Sequence, residues 1–302
     1  VDPAEGRVLI PDRAPSSSRR PFLWRLYAAL GRLAAVVNRL PLGERSVRVE
    51  SGRLYAETLD RYLAALIWKL GWLEIEESGL IAREVKAGMT AVDVGANIGL
   101  HTLGLARRVG PAGRVHALEP EPRNFRLLAR AVEAARLGNV RLHAAAAAER
   151  TGTLSLYISD ANLGDHRAYP DGEHRRTVTV PTVTLDDVLA EEPRVDFMKI
   201  DVQGFEVHAL RGMDRTLGRS PEIGVLCEVC PELLRSAGGG PEELFRLMRA
   251  AGLLPHRIRT SGRYEPVAPR RALEAAESWG YINLYFRRPA SGSSASSNTI
   301  GP

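Results

Sequence analysis

Two hydrophobic periods run through the chain. Between residues 21 and 40, Leu23, Leu26, Leu30, Leu33, Val37 and Leu40 recur at steps of three and four, with Arg25, Arg32 and Arg39 on one flank. That spacing predicts a basic amphipathic helix. Residues 52–74 carry a second helical pattern, with Leu63, Leu66, Ile67 and Leu70 on one side and Gly71 near its end. From residue 90 onward the pattern changes to short apolar runs separated by helical stretches, which predicts strands joined by crossover helices. The predicted strands are the run ending at Val94, then Arg114–Leu118, Val140–Ala148, Val195–Asp201, Ile223–Glu228 and a closing Tyr281–Phe286. Helices are predicted from Ile98 to a stop at Gly110 and Pro111, from Pro122 to Gly138, and over Glu242–Ala250. Two alternating stretches, Thr153–Ile158 and Thr177–Val183, read as an added hairpin or edge strands. The polar segment between them is long for a compact domain, which favours a functional loop over the pocket. Asn162, Asp165 and His166 are its candidate substrate contacts, the other reading being a plain surface loop.

A chain of 302 residues makes about two domains, or one large α/β domain with additions. The pattern divides it into a flexible segment 1–20, a helical extension or cap 21–74, a main α/β domain 75–288 and a flexible tail 289–302. The net charge of +5 is matched by Arg19, Arg20, Arg25, Arg32 and Arg39, in a segment without acids. The balanced remainder argues against a nucleic-acid footprint, which needs a basic face on the folded domain. For residues 21–40 a cap on the main domain, a homodimer contact and a peripheral membrane contact all remain open. Cys227 and Cys230 are the only cysteines, three apart in a predicted strand and so on opposite faces, which fits buried apolar positions rather than a metal or redox pair. The absence of a disulfide framework, a signal pattern and a membrane-spanning run leads to a cytoplasmic expectation, with membrane association through the basic helix left open.

Candidate chemistry concentrates at predicted strand ends. After Asp93 the chain reads Gly95, Ala96, Asn97, Ile98, Gly99 and then turns helical, the order that builds a ligand crevice at the carboxyl end of a parallel sheet. The spacing is neither GxGxxG nor a P-loop, so neither a dinucleotide nor a nucleotide triphosphate is indicated. Glu119 ends the second strand one strand–helix–strand unit later, where an acid takes ribose hydroxyls in Rossmann-type sites. Glu74, Glu76 and Glu77 read as solvated or capping residues, with contact to a cofactor ammonium as the alternative. Lys199 and Asp201 share one face of the fourth strand by period two, with Gln203 and Glu206 just beyond, and Glu228 ends the fifth strand. Asp201 is the first candidate for a general base, with His166 second and His208 third. Oxygen ligands such as Asp165, Asp201, Glu206 and Glu228 would suit magnesium, yet no spacing demands a metal and none is assigned.

DVGANIG at 93–99, LEP at 118–120 and KIDVQGFE at 199–206 resemble, in that order, the motifs of the FkbM family of class I S-adenosylmethionine-dependent methyltransferases. The resemblance covers about residues 72–288. It departs from the family pattern at Gln203, where the family usually has Glu. It implies a Rossmann-like α/β fold with a mostly parallel seven-stranded sheet flanked by helices, and residues 75–288 as the methyltransferase domain. It implies S-adenosylmethionine as cofactor, held by Asp93, Gly95, Ala96, Asn97, Gly99 and Glu119, with Asp201, Lys199 and Glu206 as the catalytic set. Asn162, His166, Gln203 and Glu228 are then the candidate substrate contacts. The expected reaction is O-methylation of a hydroxyl on a sugar, polyketide or other small metabolite. A catalytically weak scaffold attached to a membrane by the basic helix is the rival expectation.

Overall fold

The computed structural model describes residues 44–57, 75–159, 164–170, 172, 175–259 and 262–289. The expected helix over 21–40, Asn162, and residues 58–74 therefore lie outside the described residues. β1 (Glu44–Val49) and β2 (Gly52–Glu57) form an antiparallel hairpin. α1 (Ile75–Glu84), β3 (Thr90–Val94), α2 (Leu100–Val109), β4 (Arg114–Leu118), α3 (Pro122–Ala134) and β5 (Val140–His143) follow as strand–helix units. β6 (Ala146–Ala147), β7 (Gly152–Ile158) and β8 (Arg176–Val183) make a separate three-stranded sheet. The chain then returns to the main sheet through α4 (Leu185–Val188), β9 (Phe197–Ile200), α5 (Glu206–Arg211), α6 (Asp214–Arg219) and β10 (Gly224–Val229). It finishes with α7 (Pro231–Ser236), α8 (Pro241–Ala250), β11 (Leu254–Ile258), β12 (Tyr264–Pro266), α9 (Pro269–Trp279) and β13 (Ile282–Arg287).

The main sheet has eight strands in the order β12-β11-β13-β10-β9-β3-β4-β5. β10, β9, β3, β4 and β5 are parallel, and β13 enters antiparallel between β10 and β11. This is the doubly wound arrangement of a Rossmann-like fold. The chain winds from β3 outward to β4 and β5, then crosses back to β9 on the other side. That reversal opens a crevice at the carboxyl ends of β3, β4 and β9. The strands beside it are buried on both faces, as crossover helices require: Ala91–Val94 and Phe197–Ile200 are all buried. Val94, Ile200 and Val225 pack with Val207 and Leu210 on one side, while Ala91, Phe197 and Leu226 pack with Leu80 and Leu105 on the other.

Three sequence expectations are corrected. The sheet has eight strands rather than seven because the three-residue β12 pairs on β11 across a turn in which Arg259 N donates to Arg263 O. Residues 44–57 are a hairpin rather than part of a helical extension, because Val47 and Val49 alternate with polar residues up to the turn at Glu50 and Ser51. Leu54 of β2 then plugs a cluster containing Ile98, Leu103 and Leu128. The expected strand Val140–Ala148 divides, since Ala146 and Ala147 leave the main sheet and pair with β8. The hairpin of β7 and β8, the helix stop at Gly110 and the helix start at Pro122 match the sequence reading. No helix of the described residues is long and apolar enough to cross a membrane.

A buried polar chain ties β4 and β5 to the segment before β9. His116 Nε2 lies 2.9 Å from Glu192 Oε1, and His116 Nδ1 lies 3.1 Å from His143 Nε2. Arg114 Nη1 donates to the same Glu192 oxygen at 2.8 Å. Burial holds His116 below its ordinary value and pushes His143 down to about 4. Both are therefore neutral in the fold while the unfolded chain takes protons below its ordinary value of 6.5. Stability is thus fully present above that value and falls as the pH drops toward 4, by on the order of 2 kcal/mol once solvent screening at half-buried His143 is allowed for. Glu192 adds to the same slope. Burial favours its neutral form, but hydrogen bonds from Arg114 and His116 outweigh this and lower its pKa. Chemical denaturation from pH 7 to pH 4 should show the fall, and His143→Gln should flatten it; an unchanged slope would place the acid sensitivity elsewhere.

Candidate functional site

The crevice is a cleft of about 590 Å³ at the carboxyl ends of β3, β4, β9 and β10. That size suits a nucleoside-sized ligand with a small partner. One wall is the turn after β3. Gly95 has φ 82°, and a Cβ there would sit 1.9 Å from the carbonyl oxygen of Asp201. Gly95 N and Ala96 N both donate to Leu118 O, at 3.0 and 2.9 Å, which pins the turn to the end of β4. Asn97 adopts φ 50°, a left-handed conformation Asn tolerates better than most residues. Its N–H donates to Glu119 Oε2 at 2.8 Å, and Glu121 N–H donates to Glu119 Oε1 at 2.9 Å. The glycine turn and the acid one unit later therefore meet through a backbone hydrogen bond. Burial raises the Glu119 carboxyl to about 7, and its two backbone donors offset this only in part.

The facing wall comes from the end of β9. Lys199 Nζ donates to Asp201 Oδ2 at 3.1 Å and lies 3.9 Å from Asp93 Oδ1. Lys199 is buried, while the Asp201 side chain keeps 28% of its surface open. Asp201 N donates to Val94 O at 3.1 Å, so the ends of β3 and β9 are locked together. Gln203 follows with φ 53°, its carbonyl accepting from Tyr169 Oη at 3.1 Å. Its Nε2 donates to Asp201 Oδ1 at 3.1 Å and reaches Glu228 Oε2 at 3.4 Å.

Gly95, Ala96, Asn97, Glu119, Lys199, Asp201, Gln203, Glu228 and His166 all border this one cleft. Others on the candidate list stand behind it. Asp93 is fully buried and off the wall, its Oδ2 accepting from Thr102 Oγ1 at 2.6 Å; it braces the start of α2 and faces Lys199 from behind. Gly99 is off the wall; its φ of 98° is a left-handed conformation that favours glycine, and a Cβ there would lie 2.8 Å from Leu128 Cδ1. Glu206 is buried behind the rim, its Oε1 accepting from Val202 N at 3.0 Å and Gly204 N at 3.2 Å; burial foremost raises its carboxyl to about 7. It shapes the turn after β9 and does not border the cleft. His208 stacks on Phe205 and lies 3.0 Å from Ala237 O, away from the cleft. His166 is fixed by Ser159 N, which donates to its Nδ1 at 3.1 Å. Burial foremost lowers its pKa to about 4, so the ring is neutral with its proton on Nε2: a donor, not a base. Asp165 is engaged by Arg167 and Arg175.

Sequence reasoning gave one wall residue, Glu77, only as an alternative cofactor contact and passed over others. Glu77 of α1 is buried and accepts from Asn283 Nδ2 of β13, and both border the cleft together with His101 and Tyr281. Glu77 carried a weak signal as one of three acids before β3. Asn283 and Tyr281 carried none, because only the insertion of β13 beside β10 brings them near.

A family profile described as Methyltransferase FkbM domain matches residues 93–253. Methyltransferase 1 of Beauveria bassiana is 28% identical over 144 residues, covering 41% of this chain and 57% of that protein. The chain therefore spans little more than half the length of that relative. Hexuronic acid methyltransferase AglP of Haloferax volcanii is 28% identical over 192 residues, 62% of this chain and 73% of its own. Among solved structures, Methyltransferase FkbM from Methylobacillus flagellatus KT is similar at a TM-score of 0.41 and 15% identity, over 87% of this chain and 59% of that one.

Proposed function

This chain belongs to the FkbM family of S-adenosylmethionine-dependent methyltransferases, and on that premise we propose that it methylates a hydroxyl oxygen of a small acceptor, a sugar first among the candidates. The relative named as a hexuronic acid methyltransferase supports a sugar. The observation that carries the reading is the convergence of the 95–97 turn, Glu119 and Asp201 on one cleft.

The residues suit the cofactor. Gly95 leaves the turn without side-chain bulk, and a Cβ there would strike backbone. Glu119 offers a buried carboxylate with room for hydroxyl donors beside its two backbone N–H groups, and Glu77 is the carboxylate for an ammonium group. When bound, S-adenosylmethionine supplies a methyl group activated by its sulfonium. What remains for the protein is to align the acceptor hydroxyl and remove its proton. Asp201 is the proton acceptor in this reading: it is open to the cleft, paired with Lys199 and oriented by Gln203. Alignment supplies several kcal/mol of barrier lowering, and the base about 10²–10⁴ in rate.

Ribose hydroxyls donate best to an ionised Glu119, whose carboxyl is raised to about 7 before binding. Binding should therefore release a proton, and cofactor affinity should rise as the pH passes upward through about 7. Calorimetry across that range should show the rise, and Glu119→Gln should abolish it. A flat wild-type profile would remove Glu119 from the ribose. The function itself is tested by incubating the chain with methyl-labelled cofactor and saccharide, polyketide and lipid acceptors, read by mass. Label on a hydroxyl oxygen is expected; label on nitrogen, or on water alone, would contradict the proposal.

A further inference from the structure

Resting on that reading and deepening it, we infer that Tyr169 is a positioning residue: its hydroxyl holds the backbone of Gln203 so that the Gln203 amide fixes the Asp201 carboxylate for proton removal. The chain of contacts is short. Tyr169 Oη donates to the Gln203 carbonyl at 3.1 Å, and Gln203 Nε2 donates to Asp201 Oδ1 at 3.1 Å. The other carboxylate oxygen, Oδ2, accepts from Lys199 Nζ at 3.1 Å. With a donor on each oxygen the carboxylate plane does not turn freely, and a base works only when it is aimed at the proton it takes. A glutamate at position 203 would offer Asp201 no such donor.

Gln203 needs the hold. Its φ of 53° is left-handed, and a non-glycine residue keeps such a backbone only where its surroundings fix it. On one side Glu206 Oε1 accepts from Val202 N and Gly204 N, at 3.0 and 3.2 Å. Those bonds arise within the turn's own segment. Tyr169 holds the carbonyl from 34 residues earlier in the chain, on the segment between β7 and β8. That segment is itself anchored, because Arg167 exchanges backbone hydrogen bonds with Tyr157 of β7 at 2.8 and 3.1 Å. Tyr169 is 6% exposed, so its hydroxyl is a buried donor whose loss leaves the Gln203 carbonyl without that partner. Burial raises the pKa of the phenol, which keeps it protonated and donating. Gly164, His166 and Ala168 of the same segment border the cleft. The strand of chain beside the ligand therefore also sets the base.

The full chain is assayed with methyl-labelled cofactor and the acceptor panel above, with calorimetry and thermal melting in parallel. Tyr169→Phe keeps the ring and removes the hydroxyl. It is expected to lower kcat about tenfold, while acceptor KM and cofactor affinity change less than about threefold. In the Asp201→Asn background the same change should cost almost nothing, because no base is left to aim. Tyr285→Phe is the control: it removes a buried hydroxyl that reaches Glu84 Oε2 at 3.4 Å, away from the cleft, and should leave kcat unchanged. Four results would each overturn the inference and leave the methyltransferase reading standing. They are an unchanged kcat in Tyr169→Phe, a raised acceptor KM alone, an equal loss with and without Asp201, and a loss as large in Tyr285→Phe. If Tyr169→Phe does not fold, Gln203→Met removes the amide donor and reads the same contacts from their other end; an unchanged kcat there overturns the inference too. Absent cofactor heat, or heat with no label on any acceptor, would overturn the hydroxyl-transfer reading and the inference with it.

Discussion

Gly95→Ala is expected to remove measurable affinity for S-adenosylmethionine and to lower the melting temperature as well. The added Cβ would lie 1.9 Å from the Asp201 carbonyl oxygen, and the backbone at φ 82° already disfavours any side chain. The left-handed conformation alone costs about 1–2 kcal/mol. The overlap cannot be relieved by rotating a side chain, because the obstacle is backbone. Asp201 is held by its N–H bond to Val94 O at 3.1 Å, and the turn is held by two bonds to Leu118 O. The ends of β3 and β9 must therefore separate by about an ångström, a displacement of the size that costs a hundredfold when groups must be aligned. Calorimetry together with thermal melting checks this. Retained affinity would mean that the cofactor does not depend on this turn.

Asp201→Asn is expected to cut turnover by about 10²–10⁴ while leaving cofactor affinity within about threefold. The amide preserves shape and can still meet Lys199 through its oxygen, so the wall should stand, with Lys199 still near Asp93. What is lost is the capacity to take a proton. The readout is a single-turnover rate with labelled donor on whichever acceptor the panel identifies. Equal rates would assign proton removal to another group. His166 is a poor replacement, since its Nδ1 already accepts from Ser159 N.

How much of this was legible in the chain can be argued residue by residue. The meeting of Asn97 and Glu119 followed from counting one strand, helix and strand between two strand ends, because a crossover returns the chain to a neighbouring position. The pairing of Lys199 with Asp201 followed from the two-residue period of a strand. By contrast, whether a strand-end acid faces the cleft or backs it depends on a turn of the backbone that period alone does not reveal. Asp93, next to last in β3, braces Thr102 from behind, while Asp201, just past the end of β9, faces the cleft. Glu206 shares a motif with Gln203, but the left-handed backbone at Gln203 and Gly204 turns its carboxylate onto the N–H groups of that turn. Glu77 and Asn283 meet from elements about two hundred residues apart in the chain. The hairpin at 44–57 was overlooked because its two-residue alternation is short and borders a longer helical pattern.

The claim on which the account turns is that the 95–97 turn and Glu119 hold one S-adenosylmethionine beside Asp201. Calorimetric titration of the full chain with the cofactor tests it most directly, with Gly95→Ala and Asp201→Asn measured alongside. The expected result is one site per chain, lost in the first variant and kept in the second. No heat with the wild-type chain, or the same heat from all three proteins, would contradict it.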